Sequence, residues 1–247
     1  MNNSELIEKN PWKELSKQIA ANGFELMEKN SLEKDELIIQ AFNQKQSNIF
    51  RLRTSMMPAH FTGNILNSKI VLLATNPGYV EKEEENFYCN PKFIKERIND
   101  LSFSNSNFLS DDEERKKESP YWHQKLRYLI EEVDFNKVSK NISLLQFNPY
   151  HSLKFREIAQ KYFKGLSTDS YLSSQIFGFQ LLKNCIEQGK LIVVLRSKEP
   201  WFKAVSELKD YEQKGMVITI NNKRQPFLSP NNFETENGYK QLVQALK

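Results

Sequence analysis

Four short apolar runs divide the chain between longer stretches of helical periodicity. They are rich in Val, Ile and Leu and lack the strict alternation of apolar and polar residues, which is typical of strands buried on both faces of a parallel sheet. We therefore predict an α/β fold, a three-layer sandwich around a central four-stranded parallel sheet. The four predicted strands are Lys69–Ala74, Asn141–Phe147, Lys190–Leu195 and Gly215–Ile220.

Helical signals dominate the residues before the first predicted strand. Ser4 is the expected N-cap of a first helix, and Pro11 is expected to split that helix into two pieces. Ser31 precedes a further helical stretch. We predict that residues 1–57 form a helical N-terminal extension packed on an α/β domain of residues 58–247.

Helices are also predicted between and after the later strands. Apolar residues recur every three or four positions from Leu172 to Ile186, and Gly189 is the expected stop. Pro200 is expected to open a helix over Trp201–Tyr211. The last predicted helix is Gly238–Leu246.

Composition narrows the class of protein. Of 247 residues, 39% are hydrophobic, which suffices for a substantial core. No window reaches the roughly 18 apolar residues of a membrane span, and the first residues do not resemble a signal peptide. Cys89 and Cys185 are too few for a disulfide scaffold or a four-cysteine iron–sulfur or zinc site. We expect a cytoplasmic protein without a membrane partner.

One segment departs from the strand–helix alternation. Residues 102–118 are rich in Ser and Asn and then densely charged. We interpret them as a mobile insertion or lid, with a plain surface loop as the alternative. The acidic run of residues 81–85 is interpreted as a solvated surface.

Charge is unevenly distributed along the chain. The net charge is +4, but residues 141–247 hold 15 Lys and Arg against 9 Asp and Glu, and the rest of the chain is slightly acidic. This excess is compatible with a polyanionic partner and equally with a solvated basic surface.

Polar groups beside an aromatic residue follow the predicted strands. Because ligands of open parallel sheets bind at the carboxyl ends of the strands, we expect these segments to form a site. Turn chemistry alone also explains the individual Asn-Pro-Gly and Ser-Pro-Asn-Asn sequences. The four segments are residues 75–79, 148–152, 196–198 and 227–233.

At these positions the chain resembles the uracil-DNA glycosylase superfamily. Asn76-Pro77-Gly78, directly after a strand, resembles its first motif in the form found in the mismatch-specific and single-strand-selective branches. The upstream residues 60–64 fit the loop entering that strand, and Leu144–Asn148 resembles the second strand. Residues 229–232, followed by Gly238-Tyr239, resemble the second motif. The resemblance runs from about Pro58 to the C-terminus.

The chain departs from the family pattern at chemically important positions. Phe227 stands where the electrophilic His of the second motif is expected, and Asn76 replaces the Asp of the enzymes most active on uracil. The two cysteines exclude the iron–sulfur branches. We therefore expect a divergent member that acts on a modified or damaged pyrimidine.

The resemblance implies roles for individual residues. Asn76 would orient the attacking water, with a turn residue as the alternative. Asn148 would read the edge of the extruded base, or its amide satisfies the end of the strand. His151 would stabilise the leaving base, or it is structural. Tyr79 would form the pocket wall or pack against the insertion, and Phe147 would stack on the extruded base or pack in the core. The remaining base-pocket residues implied are Thr75, Pro77 and Gly78.

DNA contacts are implied for two later segments. The serines would hold backbone phosphates beside two cations, and the second loop would fill the gap left by the flipped nucleotide. Phe233 would instead anchor that loop if it packs on the core. The implied DNA-binding residues are Arg196, Ser197, Lys198, Ser229, Pro230, Asn231, Asn232 and Phe233.

The leading hypothesis is a monofunctional DNA glycosylase that leaves an abasic site and needs no metal or cofactor. Its partner would be single- or double-stranded DNA, it would act as a monomer, and defence against phage with modified bases is a suitable setting. The alternatives are an inactive nucleic-acid-binding member of the same fold and a hydrolase of free nucleosides.

Overall fold

Each of the four apolar runs forms a strand in which every residue is buried. The computed structural model describes residues 2–79, 87–111, 113, 120–235 and 237–247. Within them, the sheet is mixed and mostly parallel and is flanked by helices, which confirms the α/β class. The strands are β1 (Phe61–Thr62), β2 (Ile70–Ala74), β3 (Ile142–Gln146), β4 (Leu191–Val194) and β5 (Val217–Thr219).

The prediction of a four-stranded sheet is wrong, because β1 adds a fifth strand at one edge. Two residues are too few for any periodicity, so the sequence carries no signal for β1. The strand order is β1-β3-β2-β4-β5. β4 pairs in parallel with β2 (Ile70 opposite Leu191) and with β5 (Ile192 opposite Val217).

Helices connect and precede the strands. Short 3-10 turns cover Asn48–Phe50 and Gln160–Tyr162. The described helices are α1 (Asn3–Glu8), α2 (Lys13–Ala21), α3 (Glu33–Gln44), α4 (Pro91–Leu101), α5 (Tyr121–Glu132), α6 (Phe135–Asn141), α7 (Ser173–Glu187), α8 (Lys198–Ala204), α9 (Glu207–Gln213) and α10 (Gly238–Leu246). None of these described helices is long and apolar enough to cross a membrane.

The residues that cap the helices near the N-terminus differ from those predicted. Asn2, not Ser4, caps α1, in a capping box with Glu5. The split at Pro11 is confirmed, because α1 ends at Glu8 and α2 begins at Lys13. At α3 no side chain of the preceding loop forms a cap.

The helix predicted over Trp201–Tyr211 is wrong in its bounds. It is two helices, α8 and α9, separated at Val205, whose φ of −127° and ψ of 89° are not helical. Pro200 lies in the first turn of α8 and does not open it. α7 and its stop follow the prediction, and Gly189 has the positive φ of 73° that favours glycine.

The chain forms two compact units. The first unit comprises residues 1–61, 75–104 and 146–181, and the second comprises residues 62–74, 105–145 and 182–247. The predicted extension, residues 1–57, belongs entirely to the first unit. Large side chains that are less than 2% exposed form the first unit's core, among them Trp12, Phe42, Phe61, Tyr150 and Phe163.

The second unit holds the strands apart from Phe61 and Gln146. Its core packs apolar side chains of β2, β3, β4 and β5 against helices α5, α6 and α10. Residues 112 and 114–118 of the predicted insertion, and the whole acidic run of residues 81–85, lie outside the described residues.

Candidate functional site

The loops that follow β2 and β3 lie side by side in the first unit. The backbone N–H of Asn148 donates to the carbonyl of Thr75 at 2.8 Å, and the N–H of Ser152 donates to the carbonyl of Pro77 at 3.1 Å. The loops meet because their strands are neighbours in the sheet. Two of the four segments predicted from separate parts of the chain are therefore one structural element.

Asn76 is half-buried at the centre of this element, and its amide nitrogen is held by the second loop. Nδ2 donates to the carbonyl of Ser152 at 2.7 Å and lies 3.0 Å from its hydroxyl and 3.1 Å from the carbonyl of Pro77. Oδ1 accepts from the hydroxyl of Thr75 at 3.2 Å. An amide oxygen has two lone pairs, so Oδ1 keeps acceptor capacity for a water molecule.

Asn148 is only 1% exposed, and its two amide atoms differ in their surroundings. Oδ1 accepts from the backbone N–H of Tyr150 at 3.1 Å, which orients the side chain. No hydrogen bond joins Nδ2 to another described residue. The amide therefore has a fixed acceptor side and a donor side available to a ligand.

His151 is 2% exposed, and both of its ring nitrogens face backbone carbonyls. Nδ1 lies 3.2 Å from the carbonyl of Gly78, and Nε2 lies 3.2 Å from the carbonyl of Met57. Burial lowers the pKa of His151 to about 4, although both carbonyls favour the protonated ring. A leaving base reaches a ring nitrogen only by displacing one carbonyl.

Tyr79 is buried and is held by Arg53, a residue that the sequence analysis missed. The Nε–H of Arg53 donates to the Tyr79 hydroxyl at 2.9 Å, and its backbone N–H donates to the carbonyl of His151 at 2.8 Å. Nη2 also donates to Asn48 at 2.8 Å. A single Arg outside every recognised motif carries no sequence signal, and only the fold reveals its position.

The other predicted pocket residues differ in exposure. Thr75 and Pro77 are buried, and Gly78 is exposed, with no atom of a described residue within 4 Å of where a side-chain Cβ would stand. Phe147 is 2% exposed and packs in an aromatic cluster with Phe155 and Phe179, at centroid distances of 5.7 and 5.4 Å. Its stacking on an extruded base stays a prediction.

The segment after β4 lies in the second unit. Arg196 is half-buried and donates to the carbonyl of Arg224 at 3.4 Å. Ser197 has a left-handed backbone, with φ of 52°, and Lys198 is ion-paired with Glu212. Arg196 is therefore the cation of this segment that can bind a phosphate without breaking an ion pair.

The predicted second-motif loop is also in the second unit, and hydrogen bonds among residues of the loop after β5 hold it in place. Asn232 is 9% exposed, accepts from the backbone N–H of Asn222 at 2.8 Å and donates to the carbonyl of Phe227 at 2.7 Å. Phe233 is 6% exposed and belongs to the sheet core, as in the anchoring alternative. Pro230 and Asn231 are exposed, and Ser229 is half-buried.

Cations and aromatic rings gather in the second unit at α5 and the loop after β5. The Nζ of Lys125 lies 3.7 Å from the ring centroid of Phe227 and 5.1 Å from that of Tyr121. The guanidinium of Arg127 lies 4.7 Å from the ring of Tyr128. With Arg196 and Arg224 these residues form what we call the cation–aromatic surface, most of which no sequence motif indicated.

A cavity of about 340 Å³ lies elsewhere in the first unit. None of the predicted site residues is among those that line it. Its lining consists of Lys29, Ser31, Glu36, Ile39, Gln40, Asn43, Gln44, Arg51 and Thr54.

Comparisons with protein-family models, with curated proteins and with solved structures find no match. The chemistry of the candidate site is therefore inferred from the residues of this chain alone. In the first unit the site contains the amide of Asn76, which has a free acceptor position, and the amide of Asn148, which has a free donor. It also contains the exposed Gly78.

Proposed function

We propose that the protein is a monofunctional DNA glycosylase that hydrolyses the N-glycosidic bond of a modified or damaged pyrimidine. The observation that carries the proposal is the junction of the loops that contain Asn76 and Asn148 at the carboxyl ends of adjacent strands, where open α/β sheets bind ligands. The resemblance of both segments to the uracil-DNA glycosylase superfamily supports the same assignment, including its three-layer architecture.

Asn76 is the proposed catalytic residue, through orientation of water. Its amide oxygen accepts a hydrogen bond from the attacking water, while Ser152 holds the amide nitrogen and thereby fixes which amide atom faces the substrate. Water oxygen bonds to the anomeric carbon, the carbon–nitrogen bond breaks, and the departing base takes up a proton as the water loses one. An amide is a weak base, so its contribution is positional.

Asn148 is the proposed reader of the extruded base. The free Nδ2 donates to a carbonyl oxygen on the pyrimidine edge, while the bond from Tyr150 holds the amide in place. Flipping the base costs a few kcal/mol, which contacts in the pocket offset. No described residue lies within 4 Å of a Cβ at Gly78, which suits a base that carries an added group.

The remaining parts of the proposal concern partners and setting. The substrate is DNA, the protein acts as a monomer in the cytoplasm, and no cofactor takes part. Excision of chemically modified phage bases is a setting that matches the departures from the family pattern.

Incubation with oligonucleotides that each contain one modified pyrimidine, followed by alkali, tests the proposal. We expect strand cleavage at the modified base, and at least a 100-fold slower rate for Asn76→Ala, within the range for removal of a positioned catalytic group. Asn67→Ala, in a surface turn of the second unit, is the matched control. No abasic site on any single- or double-stranded substrate would overturn the proposal.

A second candidate is an inactive nucleic-acid-binding protein of the same fold. It is favoured by the closed surroundings of His151, whose ring nitrogens both face carbonyls. This candidate predicts salt-dependent DNA binding that survives Asn76→Ala without any product. Turnover that Asn76→Ala abolishes would exclude it.

A further inference from the structure

The cation–aromatic surface has an excess of positive charge that the described structure does not neutralise. Lys125, Arg127, Arg196 and Arg224 have no carboxylate within ion-pair distance among the described residues. Lys198, which follows Arg196 by two positions, has such a partner in Glu212. Like charges held together cost free energy, which an anionic ligand recovers.

Lys125 shows how closely the cations of the cation–aromatic surface lie together. It is only 8% exposed, and burial lowers its pKa, with further lowering by Arg196 and Arg127. Among the described residues its ammonium group has ring faces and no carboxylate as partners, with Phe227 the nearer ring at 3.7 Å. A lysine that served stability alone would be better placed in water or beside an acid.

The aromatic members distinguish this surface from a simple basic patch. Tyr121 is 43% exposed, although large aromatic side chains are usually buried, and Phe227 is half-buried. Aromatic faces and guanidinium planes stack on unpaired bases, whereas the base faces of a duplex are already stacked on one another. Alternating cations and rings therefore favour a single strand.

We propose that the cation–aromatic surface binds single-stranded DNA, with its cations at the backbone phosphates and Tyr121, Tyr128 and Phe227 beside unpaired bases. Tyr121, Lys125, Arg127 and Tyr128 come from α5, outside every motif of the excision site. The inference extends the proposed function by naming the state of the strand. It concerns binding, so it and the excision reaction can fail separately.

Fluorescence anisotropy of the full chain with labelled oligo(dT), and with a duplex of equal length, tests the inference. We expect the single strand to bind at least 10-fold more tightly than the duplex. Tyr121→Ala is expected to weaken binding about 5-fold to 100-fold, the range for loss of one stacked base. Because Tyr121 is exposed, this variant leaves the core intact.

The contribution of cation–phosphate contacts to binding is tested by the double variant Arg127→Ala/Arg196→Ala. Each phosphate contact contributes about 0.7 to the slope of log affinity against log salt for single strands, so we expect the slope to fall by about 1.4. The matched control is Arg156→Ala, which removes a guanidinium 3.7 Å from the ring of Phe50 in the first unit. The control is expected to leave affinity unchanged.

Three outcomes would overturn the inference. They are equal or tighter binding of the duplex, an unchanged salt slope in the double variant, and tighter binding of oligo(U) than of oligo(dT). Excision of a modified base by a protein that gives any of these outcomes would leave the proposed function standing. Single-strand binding without excision would support this inference and overturn the proposed function.

Discussion

Asn76 is tied to Ser152 by its side-chain amide, with Nδ2 2.7 Å from the Ser152 carbonyl and 3.0 Å from the Ser152 hydroxyl. The two residues are 76 positions apart, and the contact orients the amide that we assign to the attacking water. Because the backbone carbonyl is the shorter contact, the serine side chain contributes only part of the restraint.

These two contacts predict that Ser152→Ala slows excision less than Asn76→Ala does. Ser152→Ala keeps the carbonyl contact and removes the hydroxyl, so we expect excision to slow by about 3-fold to 10-fold, which corresponds to a net hydrogen bond of about 1 kcal/mol. Asn76→Ala removes the whole group and is expected to slow excision far more. Single-turnover rates on the same substrate measure both. Equal losses in the two variants would contradict the proposed orientation.

Gly178 in α7 lies against the ring of His60, and a Cβ at this position would stand 2.4 Å from His60 Nε2. We expect Gly178→Ala to lower the free energy of unfolding by about 1–3 kcal/mol, the typical cost of overpacking. Urea denaturation measures this loss, with Gly78→Ala as the control because no described residue lies within 4 Å of its Cβ position.

The same pair supports a double-mutant cycle. Trp12 Nε1 donates to His60 Nδ1 at 3.1 Å, and an asparagine keeps an acceptor near that position but lacks the far edge of the ring. The cost of Gly178→Ala should therefore shrink in the His60→Asn background. An unchanged cost in that background would show that the clash is with something other than the imidazole.

Burial of His60 predicts a loss of stability in acid. Burial lowers its pKa from 6.5 to about 3, so below pH 6.5 the unfolded chain binds a proton that the folded chain does not. The stabilising contribution is complete above pH 6.5 and is lost as the pH falls toward 3. His151, with a pKa of about 4, acts in the same direction.

Comparison with His60→Asn isolates this contribution from other groups. Between pH 6 and 4 the wild type should lose about 1.4 kcal/mol per pH unit more than the variant, the value for one proton. Urea denaturation at several pH values measures the difference. Parallel curves for the two proteins would refute a neutral His60 in the folded state.

Lys190 in the second unit is 6% exposed, and its Nζ donates to the carbonyls of Ile65 and Leu66 at 2.6 and 2.8 Å. Lys190→Met leaves both carbonyls without this partner, so we expect a loss of about 2–4 kcal/mol in the free energy of unfolding. Lys183→Met is the matched control.

The control removes a lysine of the same unit from an exposed ion pair. Lys183 lies 2.8 Å from Glu207, and both side chains are 44% exposed. Its loss should cost under about 1 kcal/mol. Equal costs in the two variants would show that the Lys190 ammonium group does not hold the buried carbonyls.

Two cations after β4 should differ in their effect on DNA affinity. Lys198 is ion-paired with Glu212, whereas Arg196 has no carboxylate partner among the described residues. Arg196→Ala is expected to weaken oligo(dT) binding and lower the salt slope by about 0.7, the value for one phosphate on a single strand. Lys198→Ala should change both little. A larger effect of Lys198→Ala would contradict this ranking.

The sequence by itself determined the α/β class and four of the five strands. Strands buried on both faces of a sheet consist mostly of apolar residues, so they can be recognised in the sequence without any contact being known. β1 was not predictable, because two residues carry no period. The break between α8 and α9 was also missed, since it depends on the backbone at Val205 and not on Pro200.

The same limit applies to the candidate site. Strand ends and turn residues indicated the segments at 75–79 and 148–152, and the adjacency of β2 and β3 brings these two together. Only the tertiary structure decided which groups are engaged: Asn76 by Ser152, His151 by two carbonyls, and Lys198 by Glu212. Partners distant in the chain leave no local pattern, because hydrogen bonds and ion pairs depend on distances that folding sets.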